Sequence, residues 1–222
     1  MRAFLHRNGL SVVTLTLFVL FWAAQAAVGF EVHNGDLEEH GRQALSLGAY
    51  LRSGHFWEAT GENWESEFLQ MAAFVVLTAR LYQRGSAESN PLPEEQDQPG
   101  GEQGAPPTPP EQRPWPVRRG GWVLGLYSHS LSLTLLGLFL LSFVIHLLGG
   151  AAEYNTEQAL HGGEAVSTLA FLGSPEFWSQ SFQNWQSEFL SVAAMVILSI
   201  FLRERGSAES KDVEAPHRRT GG

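Results

Sequence analysis

The chain has 222 residues, no cysteine and a formal net charge of −9 at pH 7. Without thiols there are no disulfides, thiolate metal sites or cysteine nucleophiles, and the acidic balance, with no Lys/Arg-rich block interleaved with aromatics, speaks against nucleic-acid binding. Mean hydropathy is close to neutral, yet long apolar runs alternate with very polar loops, which is the patterning of a membrane protein.

The N-terminus carries Arg2, His6 and Arg7, after which residues 10–30 run without a formal charge. About 20 residues of helix cross a hydrocarbon core of about 30 Å. A secretory signal peptide is the rival reading, with Ala24-Gln25-Ala26 as its cleavage site. Two features favour a retained span: the apolar core is long for a signal peptide, and a similar segment recurs at residues 131–150. The loop 31–65 is acidic. Within it Leu37, Ala44, Leu47 and Leu51 stand at helical spacing, predicting an amphipathic helix, either on the membrane surface or solvated and packed on the loop's other half. Phe56, Trp57 and Trp64 precede the next apolar run, where tryptophan anchors at the headgroups with its ring buried and its N–H wet. That second span, residues 68–82, is short. Its helix begins around Trp64, Arg80 and Arg84 snorkel at the far end, and Gly85 is a helix stop.

Nine of the chain's 11 prolines fall in residues 90–121, mixed with Glu, Gln and Gly, so this stretch is expected to be a disordered linker. The pattern then restarts. A third span covers residues 131–148, and the loop 151–187 carries four glutamates and no Lys or Arg. Ser174-Pro175-Glu176 is a helix start. Phe177, Trp178, Phe182 and Trp185 form a second aromatic girdle, followed by a fourth span at residues 189–202 and a basic tail.

Adding 121 to a position in the first half finds its counterpart in the second: Leu10/Leu131, His40/His161, Trp57/Trp178. From Asn63 to Ser89, 17 of 27 positions are identical, too many over one ungapped register to be composition. The predicted fold is therefore an all-α membrane protein with four transmembrane helices, a tandem parallel duplication of a two-helix unit with amphipathic outside helices. Its parts are a first membrane repeat (1–89), the linker (90–121), a second membrane repeat (122–210) and a flexible basic tail (211–222). Basic residues flank the outer ends of each repeat and the other loops are acidic, so both termini and the linker are expected in the cytoplasm. The two copies insert the same way up, around a pseudo-two-fold axis along the membrane normal. Ala72-Ala73 and Ala193-Ala194 supply small residues for close helix approach.

The repeated Asn-Trp-x-Ser-Glu-Phe-Leu opening, the Arg-Gly-Ser-Ala-Glu-Ser close and the four-span layout resemble a family of uncharacterised bacterial multi-pass membrane proteins, defined only as a domain of unknown function. The resemblance covers nearly the whole chain. It implies a bacterial plasma membrane location, the inner membrane, and nothing about activity.

Glu67 and Glu188 are the sharpest site candidates, because an ionisable group at membrane depth is expensive. The two-fold arrangement would pair them at the outer mouth, binding a cation or sharing a proton; the plainer reading puts each acid in the first turn of its span, favoured by the helix dipole. His146 in the third span reads as a proton relay or as a hydrogen-bonded structural histidine. His40 and His161, with Glu39 and Glu164 nearby, could hold zinc, but their spacing is not a ligand motif, and no metal or cofactor is assigned. The hexapeptides at Arg84 and Arg205 read as a site for a cytoplasmic partner or lipid phosphate, or as helix stops. Trp57, Trp64, Trp178 and Trp185 are the expected interface anchors. No nucleotide-binding or hydrolase motif occurs, so an enzyme is not expected. A structural or interaction protein is the first reading, a small transporter or channel on the axis the second, and a membrane-embedded enzyme the third. The expected partners are the lipid bilayer and another membrane protein or a second copy of the chain, and no nucleic acid.

Overall fold

A computed structural model of the chain describes residues 2–96 and 108–221. Among the described residues it is helical, with no strand. In chain order come α1 (Arg2–Glu39), α2 (Leu47–Tyr50), α3 (Gly54–Thr78), α4 (Pro93–Gln96), a 3-10 turn at Pro110–Gln112, α5 (Trp115–Arg119), α6 (Gly121–Ser128), α7 (Ser130–His161), α8 (Thr168–Leu172) and α9 (Pro175–Phe201). Three helices among these residues are long and apolar enough to cross a membrane: Phe4–Glu39, Ser130–His161 and Pro175–Phe201. The helix α3 is not one of them. Its first 14 residues carry Glu58, Glu62, Glu65 and Glu67.

Several expectations are corrected. The amphipathic surface helix over Leu37 to Leu51 does not form. The helix α1 runs on to Glu39, Gly41 breaks it with a φ of 69°, and the chain loops to the four-residue α2. Asn34 holds that loop against α1, its amide donating to the Leu45 carbonyl (3.1 Å) and accepting from the Leu45 N–H (2.7 Å). Nor does α3 reach Tyr82. It ends at Thr78, whose carbonyl accepts from the Asn90 side chain at 3.0 Å. Gly85 does take left-handed backbone, φ 81°, but in a separate turn closed by the Ser86 N–H on the Gln83 carbonyl. The expected disorder of the linker falls at residues 97–107 outside the described residues; its flanks form α4, the 3-10 turn and α5.

The chain divides into two compact units, Met1–Glu62 with Val144–Trp178, and Asn63–Phe143 with Ser179–Gly222. In the first, Tyr50, Phe56, Phe171 and Phe177 form an aromatic core. Bonds recur there at an offset of 121. Asn155 clasps Val166 as Asn34 clasps Leu45, and Ser167 caps α8 as Ser46 caps α2. Glycines set the distance between α3 and α7. A Cβ on Gly54 would strike the backbone of Gly149 and Glu153, and one on Gly61 the backbone of His146. Small residues at such crossings let helix backbones touch.

In the second unit the tail expected to be flexible is instead tied down. Lys211 is buried at 2% exposure, and its ammonium donates to the carbonyls of Gly85, His217 (2.9 Å) and Arg219 (3.0 Å). An ammonium shut away from water holds the chain around it because those carbonyls replace its hydration. Gly221 then donates to the Ser86 carbonyl at 2.9 Å.

Candidate functional site

The most concentrated chemistry lies in the first unit, where α1, α3 and α7 bring His33, His55 and Glu153 together. One potential ligand atom from each residue lies within 4.8 Å of the others. Nδ1 of His33 stands 3.5 Å from Oε1 of Glu153, with both side chains buried, and the two imidazole centroids are 4.8 Å apart. His55 occupies the first turn of α3, and the Glu153 carboxyl faces its backbone N–H. That amide is one of the donors a helix start leaves unsatisfied. Gly54 makes this approach possible, since the adjacent α7 backbone occupies the space of a side chain there.

The Tyr50 hydroxyl lies 3.3 Å from Nδ1 of His55. It fits because Gly29 of α1 presents no Cβ to it. His33 and Asp36 both act electrostatically on His55. Burial pushes the Tyr50 phenol up, with the Glu153 charge acting in the same direction. The arrangement offers two imidazoles and one carboxyl to one point in space.

The residues singled out in the sequence are placed as follows. Glu67 is exposed and Glu188 half-buried, within electrostatic reach of one another. His146 is fully buried and stacks on Phe177, centroids 4.7 Å apart. The Trp57 and Trp178 indoles donate to the carbonyls of Leu51 (3.1 Å) and Leu172 (2.9 Å), and Trp185 donates to Oε1 of Glu65 (3.0 Å). These three N–H groups are thus bonded within the protein instead of standing wet, and Trp64 is half-buried. Arg84 and Arg205 are exposed. His40 and His161 meet with centroids 5.3 Å apart, but each turns Nδ1 to a carbonyl of its own helix.

The two hexapeptides sit in the second unit. The Ser86 and Ser199 hydroxyls share a buried hydrogen bond of 2.9 Å. Burial raises the Glu88 carboxyl above the ordinary range, and its counterpart Glu209 raises it further by charge and by a hydrogen bond. Glu88 Oε1 is itself buried without a partner.

The family match spans residues 1–222, and its description is Domain of unknown function (DUF6766). The chain belongs to the DUF6766 family. A search of curated proteins and a search of solved structures each found no match. Membership in DUF6766 thus bears out the resemblance carried by the repeated motifs and brings no activity with it. For this DUF6766 chain the His33, His55 and Glu153 cluster is the feature that the sequence reading missed. Its signal was present as a break in the repeat: the positions offset by 121 hold Tyr154, Glu176 and Val32.

Proposed function

We propose that the chain is a multi-pass integral membrane protein of structural or interaction type, held in the bacterial inner membrane by four spans built from a duplicated two-helix unit. One observation carries the membrane reading: the polarity is inverted. Leu10 is 80% exposed and Phe21 70%, while Glu65 and His146 are 0% exposed. In water that arrangement leaves apolar surface wet and polar groups stripped. In a bilayer the same arrangement is favourable on both counts.

The fourth span is α3, by its correspondence with α9 over the 121-residue offset. Four spans return both ends of the chain to one side. The basic residues before α1, around α5 and after α9 then share the cytoplasmic face, as the positive-inside rule requires. With three spans the tail bearing Arg203, Arg205, Arg218 and Arg219 would lie outside. A topology reporter fused after Gly222 separates the two, and four spans predict that it reads as cytoplasmic. A signal from outside overturns the four-span reading, and release of the chain by alkaline carbonate overturns the membrane reading itself.

A second reading, a small transporter or channel, is favoured by the enclosed Glu65, Ser66 and Gln70, which share the buried face of α3. Elsewhere at mid-depth the stretches 68–82 and 189–202 offer mainly Thr78 and Ser199. Polar groups inside a membrane protein mark ion or substrate pathways. Proteoliposomes carrying wild type and Glu65→Gln test this, with a cation or proton flux in wild type that Glu65→Gln lowers; no flux in wild type refutes it.

A further inference from the structure

We propose that His33, His55 and Glu153 form a binding site for a divalent transition-metal ion of the zinc class. The site goes beyond the membrane reading above and does not depend on it, since the cluster lies within one compact unit whatever surrounds the protein.

The distances fit. Ligand atoms around a tetrahedral zinc ion, with bonds of about 2.0–2.2 Å, stand about 3.3–3.6 Å from one another. His33 Nδ1 and Glu153 Oε1 are already 3.5 Å apart, and all three ligand atoms fall within 4.8 Å, so side-chain rotation of about 1 Å closes the set. The donor set also fits. Two imidazoles and a carboxyl suit zinc and its first-row neighbours, whereas calcium and magnesium prefer shells of oxygen alone. Three protein ligands leave a fourth position for water or another donor.

The surroundings favour a cation. Asp36, Glu58 and Glu157 all act electrostatically on Glu153. Two buried ligands and a half-buried one, crowded by further acids, lack a compensating Lys or Arg among the charges that act on Glu153, and a divalent ion supplies that charge. The Tyr50 hydroxyl beside His55 Nδ1 is the kind of outer contact that fixes a ligand imidazole in orientation. The three ligands also come from three helices, α1, α3 and α7, so the ion would cross-link them, as structural metals do.

The repeat offers a built-in comparison. At the corresponding positions Tyr154, Glu176 and Val32 cannot make the same set, and Phe171 stands for Tyr50. One copy therefore departs from the other at all of these positions together. Packing alone does not call for two histidines and a glutamate where the related positions hold a tyrosine, a glutamate and a valine.

The test uses the purified full-length chain in detergent, stripped of metal and titrated with Zn²⁺, then with Co²⁺ for its visible spectrum. One ion per chain is expected. Affinity should fall at least about 100-fold in His33→Gln, His55→Gln and Glu153→Gln, and about tenfold in Tyr50→Phe, while His40→Gln with His161→Gln leaves it unchanged. Absence of binding in wild type, equal binding in the three ligand variants, or loss only in the His40/His161 variant overturns the proposal. Should the ligand variants fail to fold, X-ray absorption on zinc-loaded wild type decides instead. Two imidazoles with oxygen in the shell support the site, and a shell without imidazole overturns it.

Discussion

Trp185 donates its indole N–H to Oε1 of Glu65 over 3.0 Å, and Glu65 has no exposed surface at all. A buried polar group holds its place through such donors, and a hydrogen bond of this kind contributes about 1 kcal/mol or somewhat more. Trp185→Phe keeps most of the ring and removes the donor. Its melting temperature in detergent is expected to fall by several degrees, with Glu65→Gln, which retains an acceptor, closer to wild type. A Trp185→Phe protein that melts with wild type would show that the bond carries no stability.

Gly61 tests the crossing of α3 and α7, and Gly35 of α1 is its control. A Cβ on Gly61 meets the His146 backbone at 2.5 Å, whereas one on Gly35 meets nothing within 4 Å. Gly61→Ala is expected to destabilise strongly, since two backbones must part to admit a methyl group; overpacking of this kind costs about 1–3 kcal/mol. Gly35→Ala, inside α1 near its C-terminal end, should instead stabilise by about 0.5–1 kcal/mol through the lower entropy of the unfolded chain. Thermal unfolding of both variants checks the sign. Equal effects would mean the crossing is not close.

The Glu88 carboxyl is raised by burial and by Glu209, and the sign of its contribution follows. Below the unfolded carboxyl's value of 4.5 both states are protonated and nothing is lost. As pH rises through that value the unfolded chain ionises first, so stability declines until the folded group ionises as well. Glu88→Gln is therefore expected to raise the melting temperature at pH 7.5 and leave it unchanged near pH 3.5. A gain of equal size at both values would place its origin outside titration.

Lys211 ties the tail to the hexapeptide turn. Its ammonium gathers the carbonyls of His217 and Arg219 together with that of Gly85, and Met in its place has the length but no donors. Lys211→Met is expected to free residues 212–221, read as rapid trypsin cleavage at Arg218 and Arg219 that wild type resists. Equal cleavage rates would refute the tether.

Much of this organisation was legible in the sequence. The apolar runs of α1, α7 and α9 announce themselves because lipid solvation needs uninterrupted apolar length. Two pairs of local bonds, Asn34 with Leu45 and Asn155 with Val166, stand at the offset of 121 read from the sequence. What escaped was whatever depends on contacts between distant segments. Periodicity over Leu37 to Leu51 gave no warning that Asn34 would reclaim the loop. Nothing in the composition of residues 211–222 distinguishes a buried ammonium from a solvated one. The metal-site candidates escaped for a further reason: attention to what the copies share passes over His33, His55 and Glu153, which matter because they differ from Tyr154, Glu176 and Val32.

The Asn34 clasp carries a chemical consequence as well as a structural one. Asn34 is followed by Gly35, a pair that in open chain closes to a succinimide and deamidates, because the glycine N–H can swing onto the side-chain carbonyl. In the folded protein that carbonyl accepts from Leu45, its amide nitrogen donates to the same residue, and the Gly35 N–H belongs to α1. The bond pair that shapes the loop thereby shields its own side chain from spontaneous ageing, and slow conversion to aspartate would report opening of the clasp.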